Sequence, residues 1–110
     1  MIQVIGTKKC QNTKKALRYF RERRVDHHFV DLNARRLSAG ELKSIMQQIP
    51  AAELIDTDSK RYEQRGLAYM KIDVAEELLE DPLLLRTPIV RTKNRAFVGL
   101  TPEGWETLTG

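Results

Sequence analysis

Cys10 is the only cysteine in the chain, and the residues around it suit a reactive thiol. Gly6-Thr7-Lys8-Lys9 lead into it and Gln11-Asn12-Thr13-Lys14-Lys15 follow. Such polar company keeps a thiol partly exposed instead of packed in a core. Upstream, Ile2-Gln3-Val4-Ile5 has the size and β-branching of a buried strand. Downstream, Ala16, Leu17 and Phe20 fall at helical spacing. Cys10 is therefore expected where a strand hands over to a helix. Unpaired N–H groups and a partial positive charge at a helix start favour a thiolate over a thiol. Lys8, Lys9, Lys14 and Lys15 push the same way, Lys9 as the immediate neighbour. The chemistry implied is nucleophilic attack by sulfur. The competing reading is a small buried hydrophobe, the usual fate of a free cysteine.

The elements that must hold this thiol can be placed from patterning. A first helix is expected at about Thr13 to Arg23, capped by Asn12 or Thr13, and a second strand within Val25 to Leu32. Strand, helix and strand with short joints make a right-handed unit with two parallel neighbours. Ser38 and Glu41 form a capping box, Leu37 can staple onto Leu42, and Leu42, Ile45, Met46 and Ile49 make one apolar stripe up to Pro50. Further short helices are expected at Ala51 to Ile55, at Ser59 to Arg65 closed by Gly66, and at Asp73 to Glu80. Residues 38 to 85 thus read as a helical insert. Ile89-Val90-Arg91 and Arg95-Ala96-Phe97-Val98 suit an antiparallel hairpin, and Thr101-Pro102 opens a last helix carrying Trp105 and Leu108. Pro88 stands at the first position of the third strand, where its missing N–H is tolerated.

With 110 residues, 41% of them hydrophobic, the expectation is one domain with one modest core. A single cysteine excludes an internal disulfide and fits a reducing compartment. No apolar run approaches the ~20 residues of a membrane span, and the start lacks signal-peptide character. A cytoplasmic protein with no membrane partner is expected. The formal charge of +4 is unevenly spread: residues 1 to 36 hold ten Lys/Arg against three Asp/Glu, and the remainder nine against twelve. The basic half could attract an anionic substrate or an acidic surface. Phosphate loops, zinc spacing and aromatic-interleaved basic runs are absent, so neither direct nucleic-acid binding nor a metal is expected. His27 and His28 are acid/base candidates by type, but no partner is placed for either.

Gly6-Thr7-Lys8-Lys9-Cys10-x-x-Thr13-Lys14-Lys15-Ala16, and Leu84-Leu85-Arg86-Thr87-Pro88-Ile89-Val90 followed by Val98-Gly99, resemble the arsenate reductase (ArsC)/Spx family over essentially the whole chain. The resemblance implies a thioredoxin-like α/β fold: β-α-β, a helical insert, then β-β-α, on a mixed four-stranded sheet. It also implies a cis Thr87-Pro88 bond beside Cys10, and Cys10 as the nucleophile. The second position of the Cys-x-x-Cys found in many Spx-type regulators is Thr13. Its hydroxyl could bond the thiolate, but capping is the expected larger role. Without a second thiol, a redox cycle must pass through a mixed disulfide with glutathione or another external thiol. Glutathione is then a co-substrate, with no bound cofactor, and a glutaredoxin-like protein is a natural partner.

Family reductases hold the oxyanion with arginines, and those positions fall here on Asp56 or Asp58, on Thr87, and on or near Gly99. Losing these charge-assisted bonds speaks against efficient arsenate reduction. Arg86 and Arg91 remain nearby, Arg86 pointing toward the thiol or outward. The histidine that many reductases carry four residues before the cysteine is Gly6. Thr87 and Pro88 are expected to present backbone groups to a thiol-containing substrate. The resemblance leaves three readings: a monothiol oxidoreductase, an Spx-type regulator that binds RNA polymerase without turnover, or a family member with no redox role.

Overall fold

The computed structural model describes residues 1–109. Strand β1 (Ile2–Gly6) lies at the centre, parallel to β2 (His27–Asp31) and antiparallel to β3 (Ile89–Arg91), and β4 (Ala96–Val98) extends the sheet antiparallel to β3. The order is β2-β1-β3-β4, the mixed four-stranded sheet expected. Alternation along β1 sends side chains to two cores. Ile2 and Val4, with Val90, pack against Ala16 and Phe20 of α1 (Gln11–Glu22) and Trp105 of α6 (Pro102–Thr109). Ile5, with Val30 and Ile89, faces the residues between β2 and β3.

Those residues form α2 (Ala39–Met46), α3 (Ala51–Leu54), α4 (Lys60–Gln64) and α5 (Val74–Glu80), with 3-10 turns at Leu67–Tyr69 and Pro82–Leu84. Their starts follow the sequence signals. Glu41 N–H donates to Ser38 Oγ at 3.1 Å while Ser38 N–H donates to Glu41 Oε1 at 2.8 Å; Ser59 and Asp73 cap α4 and α5. Gly66 takes φ +63°, the left-handed turn after α4. The end of α2 differs from expectation. The helix stops at Met46 and Ile49 packs in the core from a trailing turn, while Pro50 stands at the start of α3.

One tertiary link left no sequence signal. Ile55 and Leu85 form an isolated antiparallel bridge, flanked by Asp56 N–H to Leu84 O and Arg86 N–H to Leu54 O, both 2.7 Å. This bridge ties the insert to the segment that enters β3. The Thr87-Pro88 bond in that segment is cis, as the resemblance implies. Among the described residues no helix is long and apolar enough to cross a membrane.

Candidate active site around Cys10

The thiol sits at the joint the sequence suggests, and the helix begins two residues earlier than expected. Cys10 is itself the N-cap of α1, with extended φ, ψ of −73° and 119°, and Lys14 N–H donates to its carbonyl at 3.1 Å. Neither Asn12 nor Thr13 caps the helix, which corrects that assignment. The apolar spacing begins only at Ala16, so the polar first turn, Gln11 to Thr13, was invisible to a periodicity argument. Thr13 instead turns inward and is fully buried.

Thr87 is the sulfur's nearest partner. Its Oγ1 donates to Cys10 Sγ at 3.0 Å, and Cys10 Sγ lies 3.7 Å from the Thr87 carbonyl oxygen, to which the thiol can donate. Partial burial pushes the thiol up, but the hydroxyls of Thr13 and Thr87 and the helix amides of Thr13 and Asn12 outweigh it, holding Cys10 below its ordinary value. Thr13 Oγ1 meets no partner with hydrogen-bond geometry, so its pull is that of a nearby dipole, whereas Thr87 forms a bond. The groups that favour the thiolate are thus hydroxyls and amides; Lys9 is exposed on the approach to the helix.

Gly6 is the second feature that patterning missed. A Cβ at residue 6 would stand 2.7 Å from Thr13 Cγ2 and press on Thr13 Oγ1. Thr13 occupies the space a side chain at position 6 would need, so the two residues are coupled. The signal was present as a glycine inside a strand, which often marks a close approach.

The arginines are engaged elsewhere. Arg86 Nη1 lies 3.9 Å from Asp56 Oδ1, a loose pair with both side chains over a third exposed. Arg91 donates to Gln3 Oε1 at 3.1 Å and to Ser44 Oγ at 3.0 Å, bracing the sheet against α2. Gly99 has φ +82° and donates its N–H to Pro88 O at 2.8 Å. His27 and His28 pair with Ile2 and Gln3, whereas the strand end leading to Cys10 pairs Gly6 with Asp31. At ~3.3 Å per residue the histidines lie about 10 Å or more along the sheet from that end. His27 Nδ1 is 2.8 Å from the Val25 carbonyl, a local contact. Among the described residues no group of three or more His, Cys, Asp or Glu could hold a metal. Cavities of about 340 Å³ in the insert and about 420 Å³ between α1 and α6 do not border Cys10.

The sequence model of the ArsC family matches residues 5–108. The chain belongs to the ArsC family. Among its relatives is the global transcriptional regulator Spx 2 of Bacillus anthracis, 27% identical over 108 residues, covering 94% of this chain and 82% of that protein. Two solved structures share the fold of this ArsC-family chain. The YffB protein superposes with a TM-score of 0.88 at 18% identity, both chains covered in full. The arsenate reductase from Vibrio cholerae gives 0.80 at 19% identity, over 96% of this chain and 95% of that one.

Proposed function

We propose that this ArsC-family protein is a cytoplasmic monothiol oxidoreductase that works through Cys10 with glutathione or another external thiol. The observation that supports it most is the sulfur's setting: a sole cysteine at the N-cap of α1, half-buried, accepting a hydrogen bond from Thr87 beside the cis Pro88. The Cys10 thiolate attacks one sulfur of a substrate disulfide. A new Cys10–S bond forms, the old S–S bond breaks, and the departing sulfur leaves with the electron pair and takes up a proton. A glutathione thiolate then attacks the mixed disulfide, releasing Cys10 and transferring the oxidation to glutathione. A second glutathione or a glutaredoxin-like protein would clear that product. In this reading Thr87 bonds the attacking thiolate, the Thr13 dipole favours it, and Thr87 and Pro88 offer backbone groups to the substrate.

Turnover of arsenate is not part of the proposal. The positions where family reductases carry arginines are here Asp56 or Asp58, Thr87 and Gly99, while Arg86 pairs with Asp56 and Arg91 with Gln3 and Ser44. An arsenate dianion would lose the bidentate arginine bonds of the family reductases at these positions, with Arg86 only loosely paired to Asp56 and Arg91 bonded to Gln3 and Ser44.

The test is alkylation of Cys10 by iodoacetamide as a function of pH, followed by mass spectrometry after glutathione disulfide treatment. A thiol that reacts below pH 7 faster than free glutathione and forms one reversible adduct supports the enzyme. A second reading, an Spx-type regulator that binds RNA polymerase without turnover, is favoured by the kinship to Spx 2. Polymerase retained equally by wild type and Cys10→Ser in a pull-down from extract would support it; mixed disulfides trapped only with Cys10 intact would support the oxidoreductase.

A further inference from the structure

Several arginines outside α1 are held in ion pairs. Arg61 and Arg65 are bonded to Asp81 and Glu77, and Arg35 to Glu41. Lys14, Lys15, Arg18 and Arg21 are exposed, and among the described residues none of them is in an ion pair. Lys14, Arg18 and Arg21 recur at four- and three-residue steps and so share one face of α1, the helix that Cys10 caps. Arg18 stands ~12 Å along the axis and Arg21 ~16 Å, at ~1.5 Å per residue. This cationic track runs into a groove of about 230 Å³ whose wall includes Lys15, Arg18, Leu100 and Trp105. Leu100 is 47% exposed there, and the Trp105 indole N–H is buried without a partner.

We propose that this face of α1 docks an acidic segment of a protein whose disulfide Cys10 attacks, with acidic side chains on Lys14, Lys15, Arg18 and Arg21 and an apolar side chain in the groove beside Leu100. The inference rests on the thiol-exchange reading and names its substrate class. An extended chain advances ~3.3 Å per residue, so the acidic residues should lie about two to five positions from the reacting cysteine. Exchange is as written above: the Cys10–S bond forms, the substrate's S–S bond breaks, and the leaving sulfur departs with the electron pair and is protonated. A protein segment fits better than nucleic acid. Glu22 lines the groove, and Glu103 and Glu106 line the adjoining cavity, so a polyanion longer than the cationic track would meet negative charge beyond it. The Arg23 guanidinium lies 3.6 Å over the Tyr19 ring, so that aromatic face is not open for a base to stack.

Two synthetic peptides test this, each with one cysteine as a thiopyridyl disulfide, one with glutamates and one with lysines at positions two to five, against neutral hydroxyethyl disulfide. The expected result is a preference for the acidic over the lysine peptide of about tenfold or more in dilute buffer, falling severalfold at about 1 M salt, where the screening length is ~3 Å. Lys15→Glu/Arg18→Glu/Arg21→Glu should abolish or invert the preference, and the milder Lys15→Gln/Arg18→Gln should reduce it. Equal rates for both peptides, or a variant that slows the neutral disulfide as much as the acidic peptide, would overturn the proposal. Tighter binding of a single-stranded oligonucleotide than of the acidic peptide would also overturn it. A serine-for-cysteine acidic peptide, titrated by the fluorescence of Trp105, reads docking without chemistry. If it binds but no disulfide reacts, the docking face stands and the thiol-exchange reading fails.

Discussion

Replacing Thr87 by valine removes the one hydroxyl that donates to Cys10 with good geometry, while keeping the β-branched shape and both backbone groups. A hydrogen bond to a charged acceptor contributes about 1.5–3 kcal/mol when buried. Cys10 is only half-buried, and water can replace part of the loss, so about 1.4 kcal/mol is expected, a rise of about one pKa unit. The two consequences for rate oppose each other. Below both pKa values the thiolate fraction falls about tenfold, but the more basic sulfur is intrinsically faster with a Brønsted slope of ~0.4–0.5, leaving a net loss of about three- to fourfold. Above both values the variant should be faster by about threefold. Iodoacetamide alkylation from pH 5 to 10 should therefore give two profiles that cross, with Thr87→Ser following wild type. Because the folded thiol is depressed, it adds stability above the ordinary cysteine pKa, and that stability is lost as pH falls through the folded value. The Thr87→Val stability difference between pH 10 and pH 6 should be correspondingly smaller. A valine variant with native circular dichroism and an unshifted or lower pKa would refute the argument.

Thr13→Val should raise the Cys10 pKa by less than Thr87→Val, and should leave stability at pH 6 unchanged or slightly higher, because it replaces a buried hydroxyl without a bonded partner; urea titration and the alkylation profile measure both. Gly6→Ala should cost about 1–3 kcal/mol by collision with Thr13, and adding Thr13→Ala should recover part of it, a non-additivity that a double-mutant cycle reads directly. The bidentate bonds from Arg35, at 2.8 and 3.0 Å, and the Ser38 N–H hold the Glu41 carboxyl at about 2. That stability is present above the ordinary carboxylate pKa and lost as pH falls toward about 2, and Glu41→Gln should cost about 1 kcal/mol at pH 7 and flatten that acid limb. Asp81→Ala should cost about 1–2 kcal/mol by freeing Arg61 and Arg65 together, readable as a shifted urea midpoint.

Local chemistry in the chain carries its own boundaries, which is why so much could be read from it. Ser38 with Glu41, Ser59, Gly66 and Asp73 act on backbone groups within four residues, and each does in the structure what its type requires. Apolar runs mark β1 and β3 because both of their faces are covered, while β2 and β4, more open, show only partial alternation and β-branched or aromatic residues. The placement of Cys10 at the strand-to-helix joint follows from the same local reasoning, and only the exact helix start was misjudged, where polar residues hide the period. What tertiary structure decided is long-range. Thr87 stands 77 residues from Cys10, and the Ile55–Leu85 bridge that helps position its segment joins two stretches with no shared pattern. Arg86 and Arg91 looked available as cations, but only their partners, Asp56, Gln3 and Ser44, show that they are engaged. Gly6 and Thr13 each look permissive alone, and their mutual exclusion is a matter of shared volume. The sequence by itself determined that a single thiol would sit at the start of the first helix, because helix starts and strand ends are local events. Which hydroxyls reach that sulfur, and which cations among the described residues are drawn into ion pairs, was decided only when distant segments packed against one another.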